Sequence, residues 1–161
     1  MRPSFENKFC PPAELATRAS SLAKKTVFTN GVFDVLHRGH VTYLAEARAL
    51  GGSLIVALNS DASVKRLGKG DDRPINILED RMAVIASLEC VSLVTWFEDD
   101  TPLQRILDAR PDVLVKGGDW AIDRIVGGAE VKSWGGSVHA IPFQFERSTT
   151  AMLAKIRAAA K

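Results

Sequence analysis

From residue 26 onward, short unbroken runs of apolar residues alternate with longer stretches in which apolar residues recur every third or fourth position. Thr26-Val27-Phe28 and Ser53-Leu54-Ile55-Val56-Ala57-Leu58 are of the first kind. With three later runs they predict strands over 26–30, 53–59, 91–96, 112–116 and 137–142. The intervening pattern predicts helices over 37–50, 77–89, 101–109 and 149–160. A short helix follows Asn59-Ser60-Asp61, and another falls within the loop that runs to 134. A strand covered on both faces reads as a continuous apolar run, because a parallel sheet carries helices on either side.

The expected fold class is therefore α/β: a single Rossmann-like domain with a five-stranded, mostly parallel sheet covered by helices on both faces. Residues 1–24 read as an extended arm through Pro11-Pro12 followed by a short helix at 13–23 with Leu15, Ala19 and Leu22 on one side. Residues 25–161 form the domain proper. A polar loop at 67–75 precedes helix 77–89, where Asn76, with Glu79 three residues on, fits a variant capping box. Ligands of such sheets bind beyond the carboxyl ends of the strands, near the point where strand order reverses. Thr29-Asn30-Gly31, Asn59-Ser60-Asp61 and Lys116-Gly117-Gly118-Asp119 each follow a predicted strand, so the mouth of one cleft should collect them.

The chemistry begins at the first of these ends, where two histidines fall three residues apart as a helix starts. A helix beginning near His37 places His37, His40, Val41 and Leu44 on one face. Both imidazoles then sit at its N-terminal end, where unpaired N–H groups and the helix dipole favour an anion. A lone histidine there reads as a cap or a half-buried structural residue. Two, with Gly39 between them, read as a phosphate site. Zinc would need three or four ligands, and the remaining candidates, His139, Cys10 and Cys90, lack ligand spacing.

Other segments point the same way. Gly117 and Gly118 allow close backbone approach to a ligand, and Asp119 just beyond can accept from ribose hydroxyls. Trp120 either stacks on a base or packs under a loop. Ser148-Thr149-Thr150 opens the last helix, where one hydroxyl suffices as cap and the others are either neutral neighbours or donors for a phosphate. Arg81 lies at the edge of an apolar stripe of Leu78, Met82, Ile85 and Leu88, so its charge needs an anionic partner or an exit to water. Lys65, Arg66, Lys69 and Arg73 surround loop 67–75, either as a solvated basic loop or as a lid over phosphates, with Lys65 and Lys69 favoured. There is no G-x-x-x-x-G-K-[ST] and no G-x-G-x-x-G, which argues against a P-loop enzyme and against dinucleotide binding. Cys90 has no nearby histidine in sequence to support a covalent mechanism.

Composition narrows the class further. The 161 residues suit one domain, and 46% apolar with 25% charged residues is ordinary for a globular chain. A formal charge of +2 predicts no nucleic-acid partner. No apolar stretch is long enough to span a membrane, and the first residues lack the apolar core of a signal peptide. Two cysteines far apart in sequence suit a reducing compartment. The expected location is the cytoplasm.

The segment T-N-G-V-F-D-V-L-H-R-G-H resembles the HxGH signature of the nucleotidyltransferase superfamily, the cytidylyltransferase-like adenylyl and cytidylyl transferases, and S-T-T near the C-terminus resembles its second signature. The resemblance implies that His37 and His40, with Lys65, act on a triphosphate and stabilise the transition state at its α-phosphate. It implies nucleotide contacts from Thr29, Asn30, Gly31, Phe33, Lys116, Gly117, Asp119, Ser148, Thr149 and Thr150. It assigns the phosphorylated acceptor to Arg81, Asn59, Asp61 and Lys69. An attacking phosphate oxygen is already ionised and needs no general base, so positioning and electrostatics should dominate. Mg²⁺ is implied together with ATP as co-substrate, and Asp34 is the carboxylate nearest the ion or else a helix cap.

V-A-L-N-S-D-A-S-V-K-R-L, R-P-I-N-I-L-E-D-R-M and D-V-L-V-K-G-G-D extend the likeness over about 24–158 and make it similar to the ADP-heptose synthases. That implies transfer of AMP from ATP to D-glycero-β-D-manno-heptose 1-phosphate, a sugar 1-phosphate, giving ADP-heptose and pyrophosphate for the lipopolysaccharide inner core. The alternative within enzymes is a cytidylyltransferase for a small phosphate such as glycerol 3-phosphate. A regulatory module that kept the fold but lost the chemistry should lack phosphate-contacting residues, yet His37, His40, Lys65, Arg81 and S-T-T are all present. Many relatives fuse this domain to a sugar kinase. At this length the expectation is a separate heptose kinase and phosphatase upstream. A homodimer or higher homo-oligomer is implied, with Phe5 and Phe9 as interface candidates. Trp120 stands where tyrosine is common, and Arg147 where small or apolar residues are frequent.

Overall fold

Strands Thr26–Gly31 (β1), Ser53–Asn59 (β2), Leu93–Phe97 (β3), Val113–Gly117 (β4) and Ser137–Ile141 (β5) form one sheet in the order β3-β2-β1-β4-β5. Every neighbouring pair is parallel, which sharpens the expected "mostly parallel". The computed structural model describes residues 3–68, 70, 72–145 and 148–159. The helices are Leu15–Ser20 (α1), Arg38–Ala49 (α2), Asp61–Arg66 (α3), Leu78–Ala86 (α4), Leu103–Ala109 (α5), Gly128–Ser133 (α6) and Thr149–Ala159 (α7).

Successive strand residues enter opposite cores, as the period of two requires. Val27, Leu54, Val56, Leu58, Val94, Val113 and Val115 join Leu44, Ala47, Met82 and Ile85 of α2 and α4. Phe28, Ile55, Ala57, Leu93, Leu114 and Val138 join Leu15 and Ala19 of α1, Ile106 of α5 and Val131 of α6. None of the described helices is long and apolar enough to cross a membrane.

The reversal of strand order lies between β1 and β4. There the ladder ends at Phe28 opposite Leu114, although β1 stays paired with β2 as far as Gly31 and β4 with β5 as far as Gly117. The two central strands therefore splay at their carboxyl ends. Tyr43 of α2 fills the gap, its hydroxyl sharing a hydrogen bond with Thr29 Oγ1 and donating to Val115 O at 3.4 Å. Burial pushes that hydroxyl's pKa up, so it stays a neutral bridge.

Two expectations are corrected. The N-terminal arm is not extended: it forms 3₁₀ turns over Ser4–Lys8 and Pro12–Glu14 and makes a parallel bridge from Phe9 to Val94. Phe5 and Phe9 are partly buried against the chain's own core. Asn76 does not cap α4. Its side-chain amide donates to Asp34 O instead, and Ile77 takes the cap position without a side-chain bond.

Candidate active site

His37 is not the first helical residue. It is the N-cap of α2, with extended backbone (φ −142°, ψ 171°), and its carbonyl accepts from His40 N at 3.0 Å and Val41 N at 3.3 Å. The helical face that turns inward carries His40, Tyr43, Leu44 and Ala47, whereas Val41 is 42% exposed and belongs to the outer surface. His37 nevertheless reaches His40. The rings stack with centroids 3.8 Å apart and planes 21° apart. Gly39 makes this possible, since a Cβ there would lie 3.1 Å from the His37 ring. On the far side Phe33, at φ +48°, meets the His40 ring edge-on at 5.3 Å and folds back over Gly31.

Burial, then the neighbouring His37, hold His40 down to about 4, and burial lowers His37 as well. Both rings are neutral at neutral pH. Both Nδ1 atoms are buried and, among the described residues, have no hydrogen-bond partner. Buried polar atoms left unpaired in this way are uncommon and mark places built for something other than stability.

A cavity of about 470 Å³ opens over these rings. It is lined by Asn30, Gly31, Phe33, Asp34, His37, His40, Arg73, Lys116, Gly117, Phe143 and the Ser148-Thr149-Thr150 run, among others. Ser148 Oγ accepts from Ala151 N at 3.1 Å, and the buried Thr149 donates to Val35 O at 3.1 Å, tying α7 to the loop that carries the histidines. The start of α7, where a helix leaves N–H groups without intrahelical partners, thus shares the cavity wall with the imidazole pair. A second cavity of about 410 Å³ meets the first at Asn30, Gly31, Val32 and Lys116. Its walls include Asn59, Phe97, Asp100, Thr101, Trp120, Arg124 and Ile125. Trp120 is held there by a hydrogen bond from its Nε1 to Gly117 O at 3.1 Å, with Lys116 Nζ 5.7 Å from its ring centre.

Several sequence-predicted residues stand elsewhere. Thr29 is buried behind the strand end with Tyr43. Arg81 is a buried strut, not an open clamp. At 1% exposure it donates to Asn76 O (3.0 Å), Val32 O (2.9 Å), Asn59 O (2.8 Å) and Asp61 Oδ1 (2.6 Å). The same bond ties up Asp61. Lys65 is exposed on α3 and Asp119 is exposed beyond β4, and neither lines these two cavities. Lys69 and Arg147 lie outside the described residues.

Asp34 does not suit a metal. Its carboxylate accepts from Arg73 Nε and from the backbone N–H groups of Ile75 and Asn76 at 2.9 Å. Its acceptor sites are turned to the chain itself, and no group of three or more His, Cys, Asp or Glu suited to a metal occurs among the described residues. The sequence did not favour Arg73 for the site and gave no sign of Phe143. Arg73 was visible as a member of a basic loop, but nothing marked it as the one drawn inward. Phe143 follows β5 after Pro142 and lies against Gly117, where a Cβ would come within 2.8 Å of its ring.

Residues 28–158 match a cytidylyltransferase-like family model. A Bordetella bronchiseptica protein named D-beta-D-heptose 1-phosphate adenylyltransferase is 58% identical over 155 residues, covering 95% of this chain and 96% of that protein. A Hahella chejuensis protein named bifunctional protein HldE is 55% identical over 139 residues, 86% of this chain but only 29% of its own length. Among solved structures, a lipopolysaccharide core biosynthesis protein from Thermoplasma volcanium superimposes with a TM-score of 0.62 at 27% identity, over 76% of this chain and 98% of that one. A Francisella tularensis pantoate-beta-alanine ligase shares the fold at TM-score 0.58 and 17% identity, over 88% of this chain and 68% of its own.

Proposed function

The chain belongs to the cytidylyltransferase-like family, and on that premise we propose that it transfers AMP from ATP to D-glycero-β-D-manno-heptose 1-phosphate. The observation that carries the chemistry is the stacked His37–His40 pair sharing one cavity with the N-terminus of α7, at the splayed ends of β1 and β4. The choice of acceptor is supported by 58% identity, over nearly the whole chain, to a relative named for that substrate.

In this reading the triphosphate lies between the imidazoles and Ser148, Thr149 and Thr150, with the base against the Phe143 ring. The acceptor enters through the second cavity and meets it near Asn30 and Lys116. A phosphate oxygen of the sugar attacks the α-phosphorus of ATP, forming a new P–O bond. The bond from that phosphorus to the bridging oxygen breaks, and pyrophosphate leaves with the electron pair. Neutral imidazole N–H groups and helix N–H groups, fixed in advance, stabilise the charge that gathers in the transition state. Mg²⁺ bound together with ATP would neutralise charge on the phosphates, and Asp34, engaged by Arg73 and two backbone N–H groups, would not be the residue that holds it. The product serves lipopolysaccharide inner-core synthesis in the cytoplasm.

The purified chain with ATP or CTP, against heptose 1-phosphate or glycerol 3-phosphate, tests the assignment by pyrophosphate release. ATP with heptose 1-phosphate should be the productive pair. Turnover with glycerol 3-phosphate and none with heptose 1-phosphate would overturn it.

A further inference from the structure

Two arginines are buried near the strand ends, and their situations are opposite. Arg81 has four acceptors from the chain and lines neither cavity. Arg73 is 6% exposed, yet it forms part of the wall of the histidine cavity. Its Nε donates to Asp34 Oδ2. Among the described residues its two Nη groups have no hydrogen-bond partner, and neither ranks among the sealed, unpaired atoms.

Asp34 fixes more than the guanidinium. It also receives Ile75 N and Asn76 N, while Asn76 Nδ2 donates back to Asp34 O. The carboxylate and residues 73–76 thus form a closed clasp that sets the arginine's direction. Among the described residues, the only carboxylate in the cavity wall is neutralised by this pair, and the other charged side chains there, Arg73 and Lys116, are cationic. A guanidinium held by one edge presents its other edge as a planar fork, the geometry that suits phosphate oxygens. Burying such a pair costs desolvation that one ion pair repays only in part. A phosphate in the cavity would supply acceptors for the Nη edge.

We propose that Arg73 binds a phosphate oxygen of a reactant through its Nη edge, and that Asp34 is the positioning residue that aims it. This rests on the reading above that phosphates occupy the histidine cavity. The phosphate belongs either to the triphosphate or to the acceptor, and the two sources separate experimentally.

Calorimetric binding of inorganic tripolyphosphate and steady-state kinetics with ATP and heptose 1-phosphate would be compared for wild type, Arg73→Ala, Arg73→Lys and Asp34→Asn. Arg73→Ala and Arg73→Lys should each lose at least tenfold in kcat/KM, with melting temperatures close to wild type for Arg73→Lys. Added guanidinium at millimolar concentration should restore part of the Arg73→Ala activity, which a purely structural arginine would not show. Asp34→Asn should move the same parameters, less strongly. Weakened tripolyphosphate binding places Arg73 on the nucleotide. Unchanged tripolyphosphate binding with a raised KM for heptose 1-phosphate places it on the acceptor. Arg73→Lys with binding and kcat/KM within twofold of wild type, and no guanidinium rescue of Arg73→Ala, would overturn the inference. If wild type binds tripolyphosphate through Arg73 but turns over no heptose 1-phosphate, the inference stands and the substrate assignment fails.

Discussion

His37 and His40 lie face to face with ring centroids 3.8 Å apart, although one caps α2 and the other sits within its first turn. Two imidazolium rings in that contact would repel, and burial adds to the cost of charging either. The pair is therefore neutral, and under the proposed function it acts as a donor array for an anion whose binding would shift its protonation.

The first consequence is a pH-dependent stability of the free protein. The unfolded chain protonates His40 near 6.5, whereas the folded chain holds it to about 4. Between those values the unfolded state binds more protons, so stability is full above about pH 6.5 and falls as pH drops towards 4. Discounted for the ring's partial exposure, the loss from His40 should be about 2 kcal/mol. Urea midpoints between about pH 7.5 and 4.5 should show the decline. His40→Asn should flatten it, and tripolyphosphate should offset it by favouring the protonated pair.

Removing a preorganised donor from a site of this kind costs about 2–4 kcal/mol of transition-state stabilisation. His40→Ala should accordingly lower kcat by roughly thirtyfold to a thousandfold, with the fold intact by circular dichroism and little change in the KM for acceptor. A fall confined to KM would instead make His40 a ground-state contact.

Arg81 should behave as a structural residue. Truncating it strands Asp61 and three backbone carbonyls that it now satisfies. Arg81→Ala should cost about 3–5 kcal/mol of stability, measured by chemical unfolding. The folded fraction at low temperature should keep its KM for acceptor. A large rise in that KM with unchanged stability would return Arg81 to the role of clamp.

Phe143 is 46% exposed and braced edge-on by Tyr43 at 5.7 Å. A base stacked on such a ring is worth about 1–3 kcal/mol. Phe143→Ala should therefore raise the KM for ATP by roughly tenfold or more while tripolyphosphate binds as before, and Phe143→Trp should hold near wild type. Gly117→Ala should mimic the truncation, because its methyl would displace the ring. Equal losses for ATP and tripolyphosphate would show that Phe143 contacts no base.

The sheet was legible because the inner strands are apolar on both faces, and the strand ends were legible because small or polar residues such as Asn30, Asn59 and Gly117 interrupt those runs. His37 and His40 stood out because their spacing and helix position suggest an anion site, whereas S-T-T stood out through its resemblance to a family signature. Side-chain direction was another matter. Arg81 and Arg73 both sit near polar loops in sequence, and only tertiary packing sends one into a lattice of carbonyls and the other to a cavity wall. Asp34 looked available for Mg²⁺ because the N–H groups that claim it come from residues 75 and 76, some forty positions away. The helix boundary slipped by one residue at His37 because an N-cap keeps an extended backbone while its side chain still joins the first turn.

The account stands on where the nucleotide's phosphates lie. A crystal structure with a non-hydrolysable ATP analogue should place them between the His37–His40 stack and Ser148, Thr149 and Thr150, with the adenine against Phe143. Phosphates bound only in the cavity lined by Asn59, Asp100 and Trp120, with both imidazoles untouched, would contradict it.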